Sequence, residues 1–364
     1  MKRIAIERIE AAAYTVPADG PEADGTLSWD STTIVVAHAY AGGEHGLGYT
    51  YSHAVAAKLI ETKLAAAVHG GDAMAVAAAS AAMIKEVRNL GRPGLASYAI
   101  SAVDTALWDL KARLLGVPLL GLLGAVRDAV PVYGSGGFTS YSIERLQRQL
   151  GDWVAAGISR AKMKIGSQPT EDVGRVRAAR AAIGPEAELF VDANGAYDRK
   201  EALALAEAFR EHGVTWFEEP VSSDDLRGLR LLRDRAPAGM DIAAGEYGND
   251  AFYFRRMLEA GAVDVLQADA TRCGGVTGFL QAAAVSAAFG VPLSAHTAPS
   301  IHAALCCAVP KARHIEYFHD HARIEQMLFD GAQAPIDGVL RPDLSRVGLG
   351  LALREAEARR YAAA

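Results

Sequence analysis

Three carboxylates in this 364-residue chain stand where apolar runs stop: Asp192 in Asp-Ala-Asn, Glu218 in Glu-Glu-Pro, and Glu246 directly after Gly245. Anions gathered in one dry pocket repel unless a cation sits among them. Oxygen donors with no Cys or His at ligand spacing suit a hard divalent ion, Mg²⁺ above all, better than Zn²⁺. Taken singly each has a plainer reading, since Asp-Ala-Asn-Gly is a turn signal and Glu-Pro ends many strands. The case for a metal rests on their joint placement. Lys162 and Lys164 lie two apart on another apolar run, so both face one side while Met163 faces the other. Mutual repulsion and a nearby cation lower an ammonium's proton affinity, so this pair is expected to supply a general base; the alternative is neutralisation of acidic neighbours. Asp269 and His296 end two later runs, and a carboxylate beside an imidazole fixes its tautomer and makes a second base. Glu316 ends the last run. It is expected either to stay protonated and donate to a developing oxyanion or to pair with Arg313 or Lys311.

These side chains need a frame that brings them to one place. From Val130 a short apolar strand is followed by an amphipathic helix, repeatedly, with strands expected at Val130–Ser135, Arg160–Ile165, Glu188–Ala193, Thr215–Glu219, Asp241–Gly245, Val263–Ala268, Val291–Ala295 and Arg313–Tyr317. Eight parallel strands with right-handed crossovers close into an α/β barrel whose strand C-termini share one mouth, an open doubly wound sheet being the alternative. The first 125 residues have another texture. Strands are expected over 2–13 and 31–40, a loop over 17–28, and helices near 52–69, 72–90 and 98–115, which makes an α+β unit. The chain thus divides at 1–125, 126–320 and 321–364, and its tail, with Gly348–Leu353, is expected to pack back on the first unit.

Composition narrows the classes of function. Hydrophobic residues at 51% and charged residues at 22% allow a large core, and a net charge of −6 without a basic block excludes a nucleic-acid binder. Cys273, Cys306 and Cys307 are too few for a disulfide framework, which points to a reducing cytosol. Glu7 and Glu10 interrupt any apolar leader, and Ala75–Ile84 is too short to span a bilayer, so a cytoplasmic protein without a membrane partner is expected.

The ordered series Lys-x-Lys, Asp-x-Asn, Glu-Glu-Pro, Gly-Glu, Gln-x-Asp and His on successive strands resembles the enolase superfamily, and within it the mandelate racemase subgroup. Ala102–Lys111 resembles the helix before the barrel in that family, and Gly116–Leu119 the link that follows. The resemblance implies a (β/α)₇β TIM-like barrel with an α+β N-terminal capping domain and an essential Mg²⁺ held by Asp192, Glu218 and Glu246. It implies Lys164 as one base, Lys162 near the substrate carboxylate, His296 with Asp269 as the opposing base, Glu316 as the acid that helps hold the carboxylate, and Asn194 near metal or substrate. Glu219 is not counted as a ligand, and Ala268 stands where the family often has Pro. The implied chemistry is removal of the proton α to a carboxylate through an enediolate. Dehydration of an acid sugar to a 2-keto-3-deoxy acid comes first. Racemisation or epimerisation of a 2-hydroxy acid comes second, and a non-catalytic metal or sugar-acid binding module third. Cycloisomerisation ranks lower, because it would want a lysine on the sixth strand. Loops near Asp19–Trp29 and Gly46–Tyr51 are expected to read the far end of the substrate, with Trp29, Tyr49 and Tyr51 as contacts. A homo-oligomer is also implied. His302, His314, His319 and His321 are given no role.

Overall fold

The computed structural model describes residues 3–363, so Lys2 of the expected first strand lies outside it. Eight strands form the barrel: β4 (Val130–Gly136), β5 (Arg160–Lys164), β6 (Glu188–Asp192), β7 (Val214–Glu218), β8 (Asp241–Ala244), β9 (Val265–Ala268), β10 (Leu293–Ala295) and β11 (Ala312–Phe318). Each is parallel to the next, and β11 pairs in parallel with β4 to close the ring. Seven helices lie between them. The helix starts are written locally: Ser142, Asp198, Asp225 and Asp250 each accept a backbone N–H of the first turn that would otherwise be orphaned. The barrel is filled rather than hollow. Tyr133, Phe190, Trp216, Ala243 and Val265 form its inner core, with Phe190 stacked on Trp216 at 5.2 Å between centroids. This aromatic layer is the floor beneath the mouth.

The N-terminal unit is a three-stranded antiparallel sheet in the order β1 (Arg8–Ala23), β2 (Ser28–Ala41), β3 (Glu44–Tyr51), backed by helices. Its expected loops turn out differently at two places. Most of the expected 17–28 loop is strand, because β1 continues to Ala23 and pairs with β2 after a register shift between Pro17 and Glu22. As an edge strand β1 tolerates a Pro that cannot donate to a ladder. The expected Gly46–Tyr51 loop is the strand β3, paired to β2 along its length. The helix expected over 52–69 consists of α segments Val55–Leu59 and Ala65–Val68 with a π segment, Ile60–Leu64, between them.

A long helix, Leu95–Leu114, joins the two units. Ser97, Ser101, Asp104 and Trp108 recur at three- to four-residue spacing and so share one face. All four bind the segment after β9. Ser97 Oγ donates to Arg272 O (2.6 Å), Gly274 N donates to Ser101 Oγ (2.8 Å), Thr277 N donates to Asp104 Oδ1 (2.9 Å), and Trp108 Nε1 donates to Thr277 Oγ1 (2.9 Å). The C-terminal segment returns to the same helix, where Leu349 N donates to Asp109 Oδ1 (2.6 Å), while Ala363 N reaches Ala13 O (2.9 Å). Among the described residues no helix is long and apolar enough to cross a membrane.

Candidate active site

Register brings the charged strand ends together. Lys164 on β5 lies beside Asp192 on β6, which lies beside Glu218 on β7. Glu246 joins them from one turn beyond β8. Gly245 makes that turn with φ 135°, and a Cβ there would stand 2.2 Å from Gln267 O, so only glycine allows it. Carboxylate oxygens of Asp192, Glu218 and Glu246 lie within 4.8 Å of one another, and all three side chains are buried. An all-oxygen set at that separation fits a Mg²⁺-sized ion. Just past the strand ends, Asn194, Glu219, Thr297 and Ala298 adopt left-handed backbone, with φ of 47°, 38°, 49° and 39°. That strain costs on the order of 1 kcal/mol per residue and is concentrated at this mouth.

Lys162, with no exposed surface, bridges Glu218 Oε1 (2.6 Å), Glu316 Oε1 (2.8 Å) and Asp192 Oδ2 (3.2 Å). Burial favours its neutral form, but Glu218 and Glu316 outweigh burial and hold its pKa well above the ordinary value. Lys164 reaches Asp192 Oδ2 (2.5 Å) and Asn194 Oδ1 (3.1 Å) at the edge of the cavity. The same contest of burial against Asp192 raises Lys164, and the repulsion from Lys162 is the lesser effect. Repulsion between the two lysines does not by itself lower either of them; the expected lowering also counted on a nearby cation. Burial raises Glu218 to about 8, with Asp192 adding to it, while Trp216 Nε1 donates to its Oε2 (2.9 Å) from the aromatic floor. Glu219 is buried beside the cluster and pushed well above the carboxylate range, first by burial and then by Glu246.

On the other side, His296 Nδ1 lies 2.9 Å from Asp269 Oδ2, and its Nε2 lies 3.2 Å from Glu246 Oε2 and 3.6 Å from Glu316 Oε2. Burial opposes charging His296, yet Glu246 and Glu316 push it up to about 10. Asp269 is held ionised. Burial works against that, but His296 prevails, and Thr271 donates to its Oδ1 through both N and Oγ1 (2.7 Å each). Glu316 accepts from Ser135 Oγ (2.5 Å), Lys162 and Thr297 N (3.2 Å), and Lys162 and His296 hold it below its usual range despite burial. It is an ionised acceptor on every side and has no proton to donate, which corrects the expectation of a protonated acid. Neither Arg313 nor Lys311 is its partner; Arg313 pairs with Asp241.

The mouth opens into a cavity of about 740 Å³ between barrel and cap, lined on the barrel side by Lys164, Asn194, Glu246, His296 and Glu316. Trp29 and Tyr51 line it from the cap. Trp29 donates from Nε1 to Glu22 Oε2 (2.8 Å) and rests edge-on against Phe138. Tyr51 stacks on His321. Tyr49 does not line the cavity. It is wholly buried, donates to Glu325 Oε1 (2.6 Å) and stacks on Phe329, so its expected substrate contact is corrected to a packing role. The tip between β1 and β2 closes over the mouth, held by Thr139 N donating to Ala23 O (2.8 Å) and Thr139 Oγ1 donating to Asp24 O (2.8 Å).

Arg272 was not singled out from sequence. It lines the cavity, reaching Glu246 Oε1 (3.1 Å) and Asp269 Oδ2 (3.5 Å), and its one signal was its place three residues after Asp269. His302 is structural. Its Nδ1 donates to Thr297 O (2.8 Å) and its Nε2 accepts from Ala270 N (2.9 Å), which fixes one neutral tautomer and braces the loops carrying Asp269 and His296. His314 sits in the aromatic floor, and His319 pairs with Asp19 outside the mouth.

Comparison with known proteins agrees with this arrangement. Residues 13–124 match the mandelate racemase / muconate lactonizing enzyme N-terminal domain, and residues 145–357 match the enolase C-terminal domain-like family. The L-talarate/galactarate dehydratase of Salmonella typhimurium is 36% identical over 276 residues, 75% of this chain and 67% of its own. Its structure liganded with Mg and L-lyxarohydroxamate superposes with a TM-score of 0.91 at 29% identity, covering 100% of this chain and 94% of that one. The 3,6-anhydro-alpha-L-galactonate cycloisomerase of Streptomyces coelicolor is 32% identical over 96% of this chain and 97% of its own. A mandelate racemase/muconate lactonizing enzyme-like protein from Rubrobacter xylanophilus superposes with a TM-score of 0.97 at 56% identity, covering 99% of this chain and all of that one. Both units of the chain, and the order of the charged strand ends between them, place it in the mandelate racemase / muconate lactonizing enzyme family of the enolase superfamily.

Proposed function

We propose that the protein is a Mg²⁺-dependent lyase that dehydrates an acid sugar to a 2-keto-3-deoxy acid. One observation carries the reading: a buried carboxylate triad reaches the cavity through Glu246, and two separately held proton carriers, Lys164 and His296, border that same cavity. Asp192, Glu218 and Glu246 would hold the ion. When bound, it supplies positive charge against which the anion developing on the substrate carboxylate is stabilised. Lys162 would add a fixed ammonium beside that carboxylate, and Glu316 would hold Lys162 in place. Lys164 and His296 arise from β5 and from just past β10, three strands apart by the shorter path around the ring, and so approach a bound acid from different sides. One, in its uncharged form, takes the α-proton. The other delivers a proton to the β-hydroxyl as it leaves with the C–O electron pair, giving water and an enol that becomes the keto acid. Asp269 fixes His296 so that Nε2 is the atom that carries the proton.

Racemisation is the second reading, because two carriers on two sides could equally return the proton to the opposite face. The experiment is a screen of hexonates, pentonates and hexarates with Mg²⁺, read as 2-keto acid and as α-proton exchange in deuterium oxide. Keto acid from one compound supports dehydration; exchange without keto acid transfers the assignment to racemisation; neither, with metal bound, leaves a binding module. Lys164→Ala and His296→Asn are each expected to abolish turnover while metal still binds. The same reading takes 1–125 as the cap, 126–320 as the barrel and 321–364 as the returning segment. It sets the protein in a reducing cytosol, supported by three buried free cysteines, and as a homo-oligomer, supported by exposed Val55, Leu90 and Leu95 around one groove.

A further inference from the structure

The charges around the cavity are unevenly divided. Among the described residues lining it, the cations Lys164, Arg272 and His296 all lie on the barrel side, and each is already bound to carboxylates there. Among the described residues, those lining the cavity from the cap include no lysine or arginine. The cap presents Asp24, whose Oδ1 accepts from Thr26 N (2.6 Å) and Leu27 N (2.7 Å) and so anchors the tip. Beside it stand Ser52 and His53, the latter accepting Val55 N at Nδ1 (3.2 Å), which leaves Nε2 as its donor. His321 is uncharged, since burial drives its pKa well below the ordinary value. Trp29 and Tyr51 complete that wall with aromatic surface, and Phe318 at the end of β11 adjoins it.

An acid whose first carboxylate is held at the metal end must lay its far end against this wall. A second carboxylate there would meet an anion and no free cation, and a like charge set opposite in a confined site is rejected strongly. Hydroxyl groups would instead find a carboxylate to donate to, and a hydroxyl and an imidazole N–H to accept from. We propose that the substrate carries one carboxylate and an uncharged polyol tail, so that the cap selects aldonates against aldarates. The inference rests on the acid-sugar reading above.

The test uses two matched pairs that differ only at C6, gluconate with glucarate and galactonate with galactarate, titrated by calorimetry into the full chain with excess Mg²⁺ and assayed for keto acid. The aldonate is expected to bind at least about tenfold more tightly in the pair that fits, and Asp24→Asn, which keeps the turn acceptor and removes the charge, is expected to narrow the gap several-fold. Equal or tighter binding of the aldarate, or binding of neither member of both pairs, overturns the inference. An unchanged gap in Asp24→Asn removes Asp24 as its cause and likewise overturns it. Selective binding of the aldonate without keto acid or α-proton exchange would sink the dehydratase reading and leave the selectivity standing.

Discussion

Replacing Gly25 with alanine tests whether the closed cap is the working form. Gly25 is where the β1–β2 tip comes against the backbone that follows β5 and β6. A Cβ there would lie 2.3 Å from Ala193 O and 2.7 Å from Ile165 O, both backbone atoms next to Asp192 and Lys164. Neither oxygen can move without disturbing β5 and β6, so the tip must withdraw by about 1 Å to reach an ordinary contact distance. Such shifts cost about 1–3 kcal/mol, and a 1 Å misplacement of groups that position substrate costs on the order of a hundredfold in rate. The expected result is a ten- to hundredfold fall in kcat/KM on the acid identified by the screen. The melting temperature and Mg²⁺ affinity should change little, because the tip retreats into solvent and touches none of the three metal carboxylates. Activity within twofold of the parent would refute the reasoning: the tip would then be a passive turn rather than part of the site.

Lys162→Met leaves Glu218, Glu316 and Asp192 without their shared counter-ion and is expected to destabilise the protein by about 3–5 kcal/mol, read by urea unfolding; a loss under 1 kcal/mol would refute it. Mg²⁺ added to chelator-treated protein should raise the melting temperature with the logarithm of its concentration, and Asp192→Asn should flatten that response. Glu325, held by Tyr49 and Ser300, is raised by burial from 4.5 to about 7. The folded protein therefore keeps that proton longer than the unfolded chain does. The stability it contributes is full below pH 4.5 and is lost as pH rises through 7, a swing of about 3 kcal/mol. In Glu325→Gln, unfolding free energy measured from pH 5 to 8 should lose that slope, and a persistent slope would assign it elsewhere.

The barrel was legible because each strand is a short apolar run and its chemistry begins where the run stops. The alternation of Lys162, Met163 and Lys164 gave the correct facing, with Met163 in the layer under the helices and both lysines inward. What a period cannot carry is who stands opposite. Glu316 was expected either to keep a proton or to pair with Arg313 or Lys311, and only the placement of Lys162, Ser135 and Thr297 around it decides that it does neither. Arg272 had no pattern of its own and acquires a role solely from Glu246 and Asp269. The cap was read less well. In β3, expected as a loop, Gly46 and Gly48 are glycine because the long helix crosses there: a Cβ would fall 2.2 Å from Ala106 O at one and 2.3 Å from Ala102 O at the other. Tyr49 and Tyr51 share a strand face, and one step of two residues separates a buried packing ring from one that reaches the cavity.

The row of Ser97, Ser101, Asp104 and Trp108 against the segment after β9 bears on how new specificities could be built from this fold. That segment also carries Asp269 and Arg272, so a cap transplanted from a relative would arrive with the wrong sockets for the strand end that steadies His296. A chimera cut between the two units therefore forfeits proton transfer even where every metal ligand is retained. One that exchanges 95–114 together with 270–277 keeps plug and socket from the same parent and leaves the tip at 24–29, apart from Gly25 where it meets the barrel backbone, as the part to vary.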